Sequence, residues 1–179
     1  MTILFDKAQY RKITREKRDF LAKSGVISSK SSRIVSKILN SNEFKVSKNI
    51  ALYYPINSEI DITGLLKVKY KNFYLPRCIN NELYFSKYID DNSLVEGKFG
   101  IKEPQGEIVD PYIFDIIYIP ALLANKKCYR LGYGKGFYDR FFAKNNINAL
   151  KVIVVSSDFI TDEFIEEAHD FRCDSLIYD

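Results

Sequence analysis

The spacing of apolar residues predicts two helices at the start of the chain, over residues 5–23 and 29–40. The first has few apolar positions and many charges, whereas the second repeats apolar side chains at the spacing of one helix face. Ser28 or Ser29 is a suitable N-cap for the second helix, because a serine oxygen accepts a hydrogen bond from the free N–H groups of a first turn. The apolar face of that helix comprises Ile34, Val35, Ile38 and Leu39.

Short apolar runs between polar turns predict a series of strands farther along the chain. The run LKVIVVS at 150–156 is continuous enough for a strand buried on both faces. Strands that alternate with helices predict an α/β domain whose sheet is at least partly parallel. Further strands are expected at 49–54, 72–75, 83–88, 115–119 and, at an edge, 175–178, further helices at 60–71, 136–145 and 160–168, and a loop at 120–135.

Length and composition limit the kind of protein that this chain can be. Its 179 residues predict a single domain over residues 1–179, and 46% hydrophobic residues suffice to bury a core. No stretch reaches the 18 or more apolar residues that a membrane span needs, and the charges of Asp6 and Lys7 stand where a signal peptide would be apolar. We therefore expect a cytoplasmic monomer that binds no membrane.

Cysteine and histidine usage narrows the chemistry further. Cys78, Cys128 and Cys173 are odd in number and far apart, which is typical of a reducing compartment rather than of a disulfide framework. The spacing also argues against a structural zinc site. A histidine-based catalytic triad would have to use His169, because the chain has 1 histidine.

Charge is distributed unevenly along the chain. The formal net charge of +4 is too small to indicate a dedicated nucleic-acid-binding protein. Residues 1–40 nevertheless carry a net charge of +7, and residues 156–179 carry −7. Two interpretations remain open at this point: the ends simply attract each other, or they bring opposite charges to one site.

The segment RLGYGKGFYDR at 130–140 is the most informative in the chain. Its glycines alternate at positions 132, 134 and 136 just before a predicted helix, where free N–H groups form a concave anion site. Arg130 and Lys135 add positive charge, so a polyphosphate is the expected ligand. Neither the Rossmann nor the Walker A pattern fits this loop, and the alternative is a flexible loop that caps a helix.

A basic stripe and several carboxylates are the other candidates for chemistry. Lys7, Arg11, Arg15 and Arg18 fall within about 80° of one another on a helix. Such a stripe usually marks a solvated face; the alternative is a strip that binds RNA or a membrane surface, and the few large apolar residues on the opposite face argue against a membrane. We expect Arg15 and Arg18 to be solvated. Asp139 lies where a carboxylate either complements the helix dipole or binds Mg²⁺.

These segments resemble the 5-formyltetrahydrofolate cyclo-ligase family. RLGYGKGFYDRFF is close to the family pattern RLGxGxGYYDR, from which Phe137 is a conservative departure. Weaker matches follow in the family's order at Lys7-x-x-x-Arg11, Tyr54-Pro55…Glu59-Ile60-Asp61, Leu75-Pro76-Arg77, Phe85-x-x-Tyr88, Gly100-Ile101-Lys102-Glu103-Pro104 and His169-Asp170-x-x-x-Asp174.

The resemblance implies a three-layer α/β/α sandwich with a mostly parallel central sheet, and ATP- and Mg²⁺-dependent conversion of 5-formyltetrahydrofolate to 5,10-methenyltetrahydrofolate. It implies that Arg130 and Lys135 are catalytic and that Asp139 and Asp170 bind Mg²⁺. The implied ATP-binding residues are Lys7, Arg11, Arg130, Leu131, Gly132, Tyr133, Gly134, Lys135, Gly136, Phe137 and Tyr138. The implied folate-binding residues are Tyr54, Glu59, Tyr133, Gly134, Lys135, Gly136 and Phe137.

Two other functions stay open on the residues alone. One is a non-catalytic nucleotide- or RNA-binding module, which the absence of RNP-type aromatic motifs disfavours, and we expect no nucleic-acid partner. The other is a small-molecule kinase, which would release a stable phosphorylated product.

Overall fold

A central six-stranded sheet organises the protein, which the computed structural model describes over residues 6–56, 58–164 and 166–179. The strands in chain order are β1 (Asn49–Ala51), β2 (Asn72–Ile79), β3 (Glu82–Lys87), β4 (Leu94–Glu96), β5 (Lys102–Pro104), β6 (Ile116–Pro120), β7 (Leu123–Ala124), β8 (Arg130–Leu131), β9 (Leu150–Val154) and β10 (Ser175–Ile177). The helices are α1 (Lys7–Lys23), α2 (Val26–Asn40), α3 (Asn42–Val46) and α4 (Phe137–Lys144).

The strand order in the sheet is β10-β9-β6-β1-β2-β3. Every neighbouring pair is parallel except β2 and β3, which form an antiparallel hairpin. Asn80 and Asn81 connect that hairpin with positive φ angles of 50° and 62°, the conformation of the tight turns that match strand twist. The predicted α/β class and mostly parallel sheet are therefore confirmed, and β10 lies at an edge as expected.

The apolar runs fold as the central strands because both of their faces are covered. In β6, four of five residues are buried, and β1 and β9 are likewise buried along most of their length. Aromatic contacts join α4 to the hairpin, where the ring centroids of Phe85 and Phe141 lie 5.4 Å apart. Within the described residues, no helix combines the length and apolar character that crossing a membrane requires.

The first residues and the N-caps of helices α1 and α2 differ from the predictions. Helix α1 begins at Lys7, and residue 5 of the predicted helix lies outside the described residues. Asp6 caps it, and its side chain accepts a hydrogen bond from the backbone N–H of Gln9. The prediction of Ser28 or Ser29 as the N-cap of α2 is wrong, because the helix begins one turn earlier, after Gly25, whose φ is +76°.

The predicted helices at 60–71 and 160–168 are wrong, and the predicted strand at 49–54 and loop at 120–135 differ in extent or structure. The expected helix at 60–71 is reduced to a 3₁₀ turn at Thr63–Lys67, since β-branched residues and Gly64 disfavour an α-helix there. The described residues of 160–168 form no helix, because the backbone of Ile160 pairs with Ala124 in a bridge. Strand β1 ends three residues before position 54, and the expected loop at 120–135 contains the β7–β8 hairpin.

The sheet topology decides where a ligand can bind. The chain leaves β1 toward β2 on one side and later returns as β6 on the other side. Such a change of direction opens a crevice at the carboxyl ends of the strands. Tyr53 and Tyr54 follow β1 at this point, and Pro120 ends β6.

Candidate functional site

A cleft of about 920 Å³ lies at the carboxyl ends of β1 and β6. Its walls come from α1, the loop after β1, the glycine loop before α4 and the segment before β10. All residues predicted for the site line this cleft: Lys7, Arg11, Tyr54, Glu59, Arg130, Leu131, Gly132, Tyr133, Gly134, Lys135, Gly136, Phe137, Tyr138, Asp139 and Asp170.

The glycine loop is held against the N-terminal helix. Arg11 donates from Nε to the carbonyl oxygen of Gly132 at 2.9 Å, and Arg15 donates to that of Tyr133 at 3.1 Å. Gly134 has a φ of +93°, a conformation that residues with a Cβ atom rarely adopt. The loop therefore combines a glycine-dependent backbone with a guanidinium lying over it.

The basic start and the acidic end of the chain meet in this cleft. The Nζ of Lys7 lies 2.5 Å from Oδ2 of Asp170 and 3.3 Å from Oε2 of Glu167. Asp170 also accepts a hydrogen bond from the backbone N–H of Glu167 at 2.7 Å. Of the two interpretations of the charge distribution, the structure supports both: the ends attract each other, and they do so at one site.

Arg130 is the buried cation of the site. It projects from β8 and is 8% exposed, and its Nη2 lies 3.3 Å from each carboxylate oxygen of Asp139. Its guanidinium carbon also lies 5.2 Å from the centroid of the Tyr138 ring. Because Asp139 is in the first turn of α4, the pair joins that helix to the hairpin below the glycine loop.

Glu59 is the buried acid of the site, at 6% exposure. Burial raises its pKa to about 7, although the backbone N–H of Ile56 donates to its Oε2 at 2.9 Å and stabilises the carboxylate. The positive charges of Arg18 and Arg130 and a hydrogen bond with Tyr133 also oppose the shift. A group of this kind changes its charge near neutral pH, a behaviour that is common in functional sites.

The expectation of a solvated side chain is confirmed for Arg15 and is wrong for Arg18. Arg15 is exposed, but its guanidinium contacts the glycine loop and lies 5.2 Å from the Tyr133 ring. Arg18 is 3% exposed and donates to the carbonyl oxygens of Ser58 and Ala121. The only indication in the sequence was that both residues share a helix face with Arg11. That spacing does not tell whether the face points to solvent or to the interior of the protein.

Carboxylates near the cleft are the candidate ligands for a divalent cation. Among the described residues, one group of three potential ligands lies within 4.8 Å, namely Glu167, His169 and Asp170. Asp139 is not a member of that group. Asp139 and Asp170 both line the cleft wall, and their carboxylate oxygens are the kind of ligand that Mg²⁺ prefers. His169 is 75% exposed.

Several residues of the cleft were not predicted. Arg140 donates to the carbonyl oxygens of Lys135 at 2.7 Å and of Asn81 at 3.0 Å, and so connects the glycine loop to the β2–β3 turn. Cys78 and Glu103 line the far side of the cleft. Arg140 belongs to the glycine-loop motif itself, which was the signal that could have indicated it.

Comparisons with known proteins agree with this geometry. The sequence profile of the 5-formyltetrahydrofolate cyclo-ligase family matches residues 5–179. A 5-formyltetrahydrofolate cyclo-ligase from Mycoplasma genitalium is 30% identical over 134 residues, which cover 73% of this chain and 72% of the relative.

Solved structures give the same result. The NMR structure of a 5,10-methenyltetrahydrofolate synthetase from Aquifex aeolicus is 34% identical, with a TM-score of 0.83, and the match covers 96% of this chain and 89% of that one. The structure of a 5,10-methenyltetrahydrofolate synthetase from Mycoplasma pneumoniae is 26% identical, with a TM-score of 0.78, and covers 97% and 98%.

Proposed function

The chain belongs to the 5-formyltetrahydrofolate cyclo-ligase family, and from this premise we propose that its cleft converts 5-formyltetrahydrofolate and ATP to 5,10-methenyltetrahydrofolate, ADP and phosphate. One observation carries the proposal: the glycine loop, its surrounding cations and the buried Glu59 line one cleft of about 920 Å³. That volume is near the upper end for small-molecule sites, as two substrates bound side by side require.

The chemistry needs phosphoryl transfer followed by ring closure. The formyl oxygen attacks the γ-phosphorus of ATP, and ADP leaves. The oxygen then departs as phosphate when N10 attacks the formyl carbon, and N10 loses its proton. Such a transfer requires mainly positioning of the reactants and neutralisation of phosphate charge, so cations and N–H donors are the groups that matter.

The glycine-loop side of the cleft supplies these groups. Lys135 and Arg130 are assigned to the transferred phosphoryl group, and Lys7 and Arg11 to the remaining phosphates of ATP. The support is that Arg11 already contacts the loop through Gly132, while Lys7 lines the same wall. Each charge-assisted hydrogen bond is worth roughly 1.5–3 kcal/mol. The remaining ATP contacts are assigned to Leu131, Gly132, Tyr133, Gly134, Gly136, Phe137 and Tyr138.

Asp139 and Asp170 are assigned to Mg²⁺, which would neutralise phosphate charge when bound. Both carboxylates are paired with cations of the site, Arg130 and Lys7 respectively. These pairs hold the two side chains on the cleft wall, and they keep the acids and the phosphate-binding cations within reach of one another.

The folate ring is assigned to the opposite wall, at Tyr54 and Glu59. A buried carboxylate accepts hydrogen bonds from the amide and amino N–H groups of a pterin, and these bonds offset the cost of burying its charge. Tyr133, Phe137, Gly134, Lys135 and Gly136 are assigned to the junction between the two substrates, and the support is that all five line the cleft. Aromatic rings there are suited to stacking on a flat heterocycle.

A direct assay tests the proposal. Absorbance of the methenyl product is followed with 5-formyltetrahydrofolate, ATP and Mg²⁺, and each component is omitted in turn. We expect product formation only with the complete mixture, with one ADP per product. A stable phosphorylated folate without ring closure would instead indicate a kinase, and salt-sensitive RNA binding independent of folate would indicate an RNA-binding module.

We further propose that the protein acts as a cytoplasmic monomer without nucleic-acid or membrane partners. The thiols of Cys78, Cys128 and Cys173 support a reducing compartment, since all three are free. Sedimentation of the purified protein measures its oligomeric state.

A further inference from the structure

Arg18 is a buried arginine whose role the proposed reaction does not explain. It lies on α1 and is 3% exposed, so its guanidinium is almost wholly removed from water. Burying a charge is costly unless hydrogen bonds and opposite charges compensate for it. A residue that served only to pack α1 against the sheet would be apolar, so the contacts of this side chain need an explanation.

Two of these contacts join the segments that form the floor of the cleft. Nε donates to the carbonyl oxygen of Ser58 at 3.2 Å, and Nη1 donates to that of Ala121 at 3.4 Å. Ser58 directly precedes Glu59, and Ala121 directly follows β6. One planar side chain therefore connects the Glu59 turn to the end of the neighbouring strand.

The third contact leads to the glycine loop. The Arg18 guanidinium carbon lies 5.9 Å from the centroid of the Tyr133 ring, a cation–π contact. Tyr133 and the Arg18 charge both favour the ionised form of the Glu59 carboxyl group, against the effect of burial on its pKa. Arg18 therefore contacts Tyr133 directly and contacts the Glu59 turn through the carbonyl oxygen of Ser58.

The surroundings of Arg18 leave little room for an alternative arrangement. A cavity of about 10 Å³ beside the guanidinium, lined also by Ser58 and Ser156, admits one water molecule at most. Nη2 has no hydrogen-bond partner among the described groups. The side chain is thus held by its contacts with Ser58, Ala121 and Tyr133 rather than by bulk water.

We propose that Arg18 is a positioning residue for the folate half of the reaction: it holds Tyr133 and the Ser58–Glu59 turn together, and so orients the Glu59 carboxylate toward the substrate. This inference rests on the proposed function. It assigns Arg18 no contact with either substrate, since Arg18 acts through Tyr133 and Glu59.

The first test separates folate binding from ATP binding. We expect Arg18→Met to raise the KM for 5-formyltetrahydrofolate about ten-fold, the loss of roughly one oriented hydrogen bond, while the KM for ATP changes much less. Arg18→Lys should fall between, because one ammonium cannot reach both carbonyl oxygens. Lys12→Met removes an exposed cation from the same helix and serves as the control.

The pH profile gives a readout that a purely structural role would not change. The charged and titratable groups that act on Glu59 are Arg18 on α1, Arg130 on β8, Tyr133 in the glycine loop, Tyr138 on α4 and Tyr53 after β1. Removing the Arg18 charge should move the acid limb of kcat/KM for folate to higher pH, by about one unit, in Arg18→Met but not in Arg18→Lys. The shift should vanish in a Glu59→Gln background.

Distinct results overturn the inference. Arg18→Met with a lowered melting temperature but with wild-type folate KM and acid limb would show a structural role only. If Arg18→Met does not fold, Arg18→Lys is combined with Tyr133→Phe: the joint effect on folate KM should be smaller than the product of the single effects, and equality with that product would contradict the coupling. Wild-type protein without turnover would overturn the proposed function and this inference together.

Discussion

Replacing Gly134 by alanine tests whether the shape of the glycine loop determines ATP binding. At a φ of +93°, alanine is strained, and a left-handed conformation costs an L-residue roughly 1–2 kcal/mol. The new Cβ atom would also lie 3.3 Å from Nε of Arg11, the atom that donates to Gly132. Both effects oppose the conformation that we assign to phosphate binding.

The expected magnitude follows from the strain alone. A cost of about 1–2 kcal/mol corresponds to roughly a 5- to 30-fold increase in the KM for ATP, at about 1.4 kcal/mol for each factor of ten. Displacement of Arg11 would add to it, since a hydrogen bond from a charged group contributes about 1.5–3 kcal/mol. A surface loop can relax locally and so escape the strain without unfolding the protein. ATP must then restore the original loop conformation when it binds, so the cost is measured in the KM for ATP.

Gly25 offers a matched control for this measurement. Its φ is +76°, and an added Cβ atom would meet no heavy atom within 4 Å, so Gly25→Ala introduces similar backbone strain far from the cleft. Steady-state kinetics and thermal denaturation are measured on both variants. We expect Gly25→Ala to lose stability with an unchanged KM, and Gly134→Ala to raise the KM. An ATP KM in Gly134→Ala equal to that of Gly25→Ala would refute the reasoning.

Three further predictions concern the charged groups of the site. Lys135→Ala or Arg130→Ala should raise the ATP KM or lower kcat by roughly ten- to a hundred-fold, and wild-type kinetics in both would remove the loop from the ATP site. Chelation by EDTA should abolish turnover and Mg²⁺ should restore it, whereas full activity in EDTA would exclude the metal role of Asp139 and Asp170. Glu59 has a folded-state pKa raised from 4.5 to about 7, so the unfolded chain ionises first and wild-type stability falls as pH rises through that interval. Denaturant titrations measure the free energy of unfolding of Glu59→Gln and of wild type at each pH. From pH 4.5 to about pH 7, the variant should gain up to about 3 kcal/mol in this free energy relative to wild type. A difference that does not change with pH would contradict the raised pKa.

Local sequence patterns predicted most strands of the central sheet and the helix that follows the glycine loop. The strands at 72–75, 115–119 and 150–156 were recognisable because their apolar runs are largely buried in the six-stranded sheet. The strand at 83–88 was also recognised, although β3 lies at an edge of that sheet and is only partly buried. The helix at 136–145 was recognisable because it follows a glycine-rich turn. The segment at 160–168 was not recognisable, because the backbone of Ile160 forms a bridge with the distant Ala124 instead of a helical turn.

Helical spacing placed four cations on one stripe, but it could not tell which of them would be buried. Lys7 meets an acid from the opposite end of the chain, Arg11 and Arg15 reach the glycine loop, and Arg18 lies beneath it. All four share one helix face, and what differs among them is the partner that the rest of the fold brings to each. Such partners are more than 30 residues away in sequence, so no local pattern could indicate them.

The sequence by itself determined the glycine-rich and cationic character of the segment at 130–140, because glycine backbone freedom and fixed positive charge are properties of the residues themselves. It also determined the α/β class, since strand and helix periodicities are local. Only the tertiary structure decided that Lys7 meets Asp170 and that Glu59 is buried enough for its pKa to reach about 7. The ion pair requires that two residues distant in sequence lie close together, and the raised pKa requires that water is excluded from Glu59. Neither condition is met until the chain has folded.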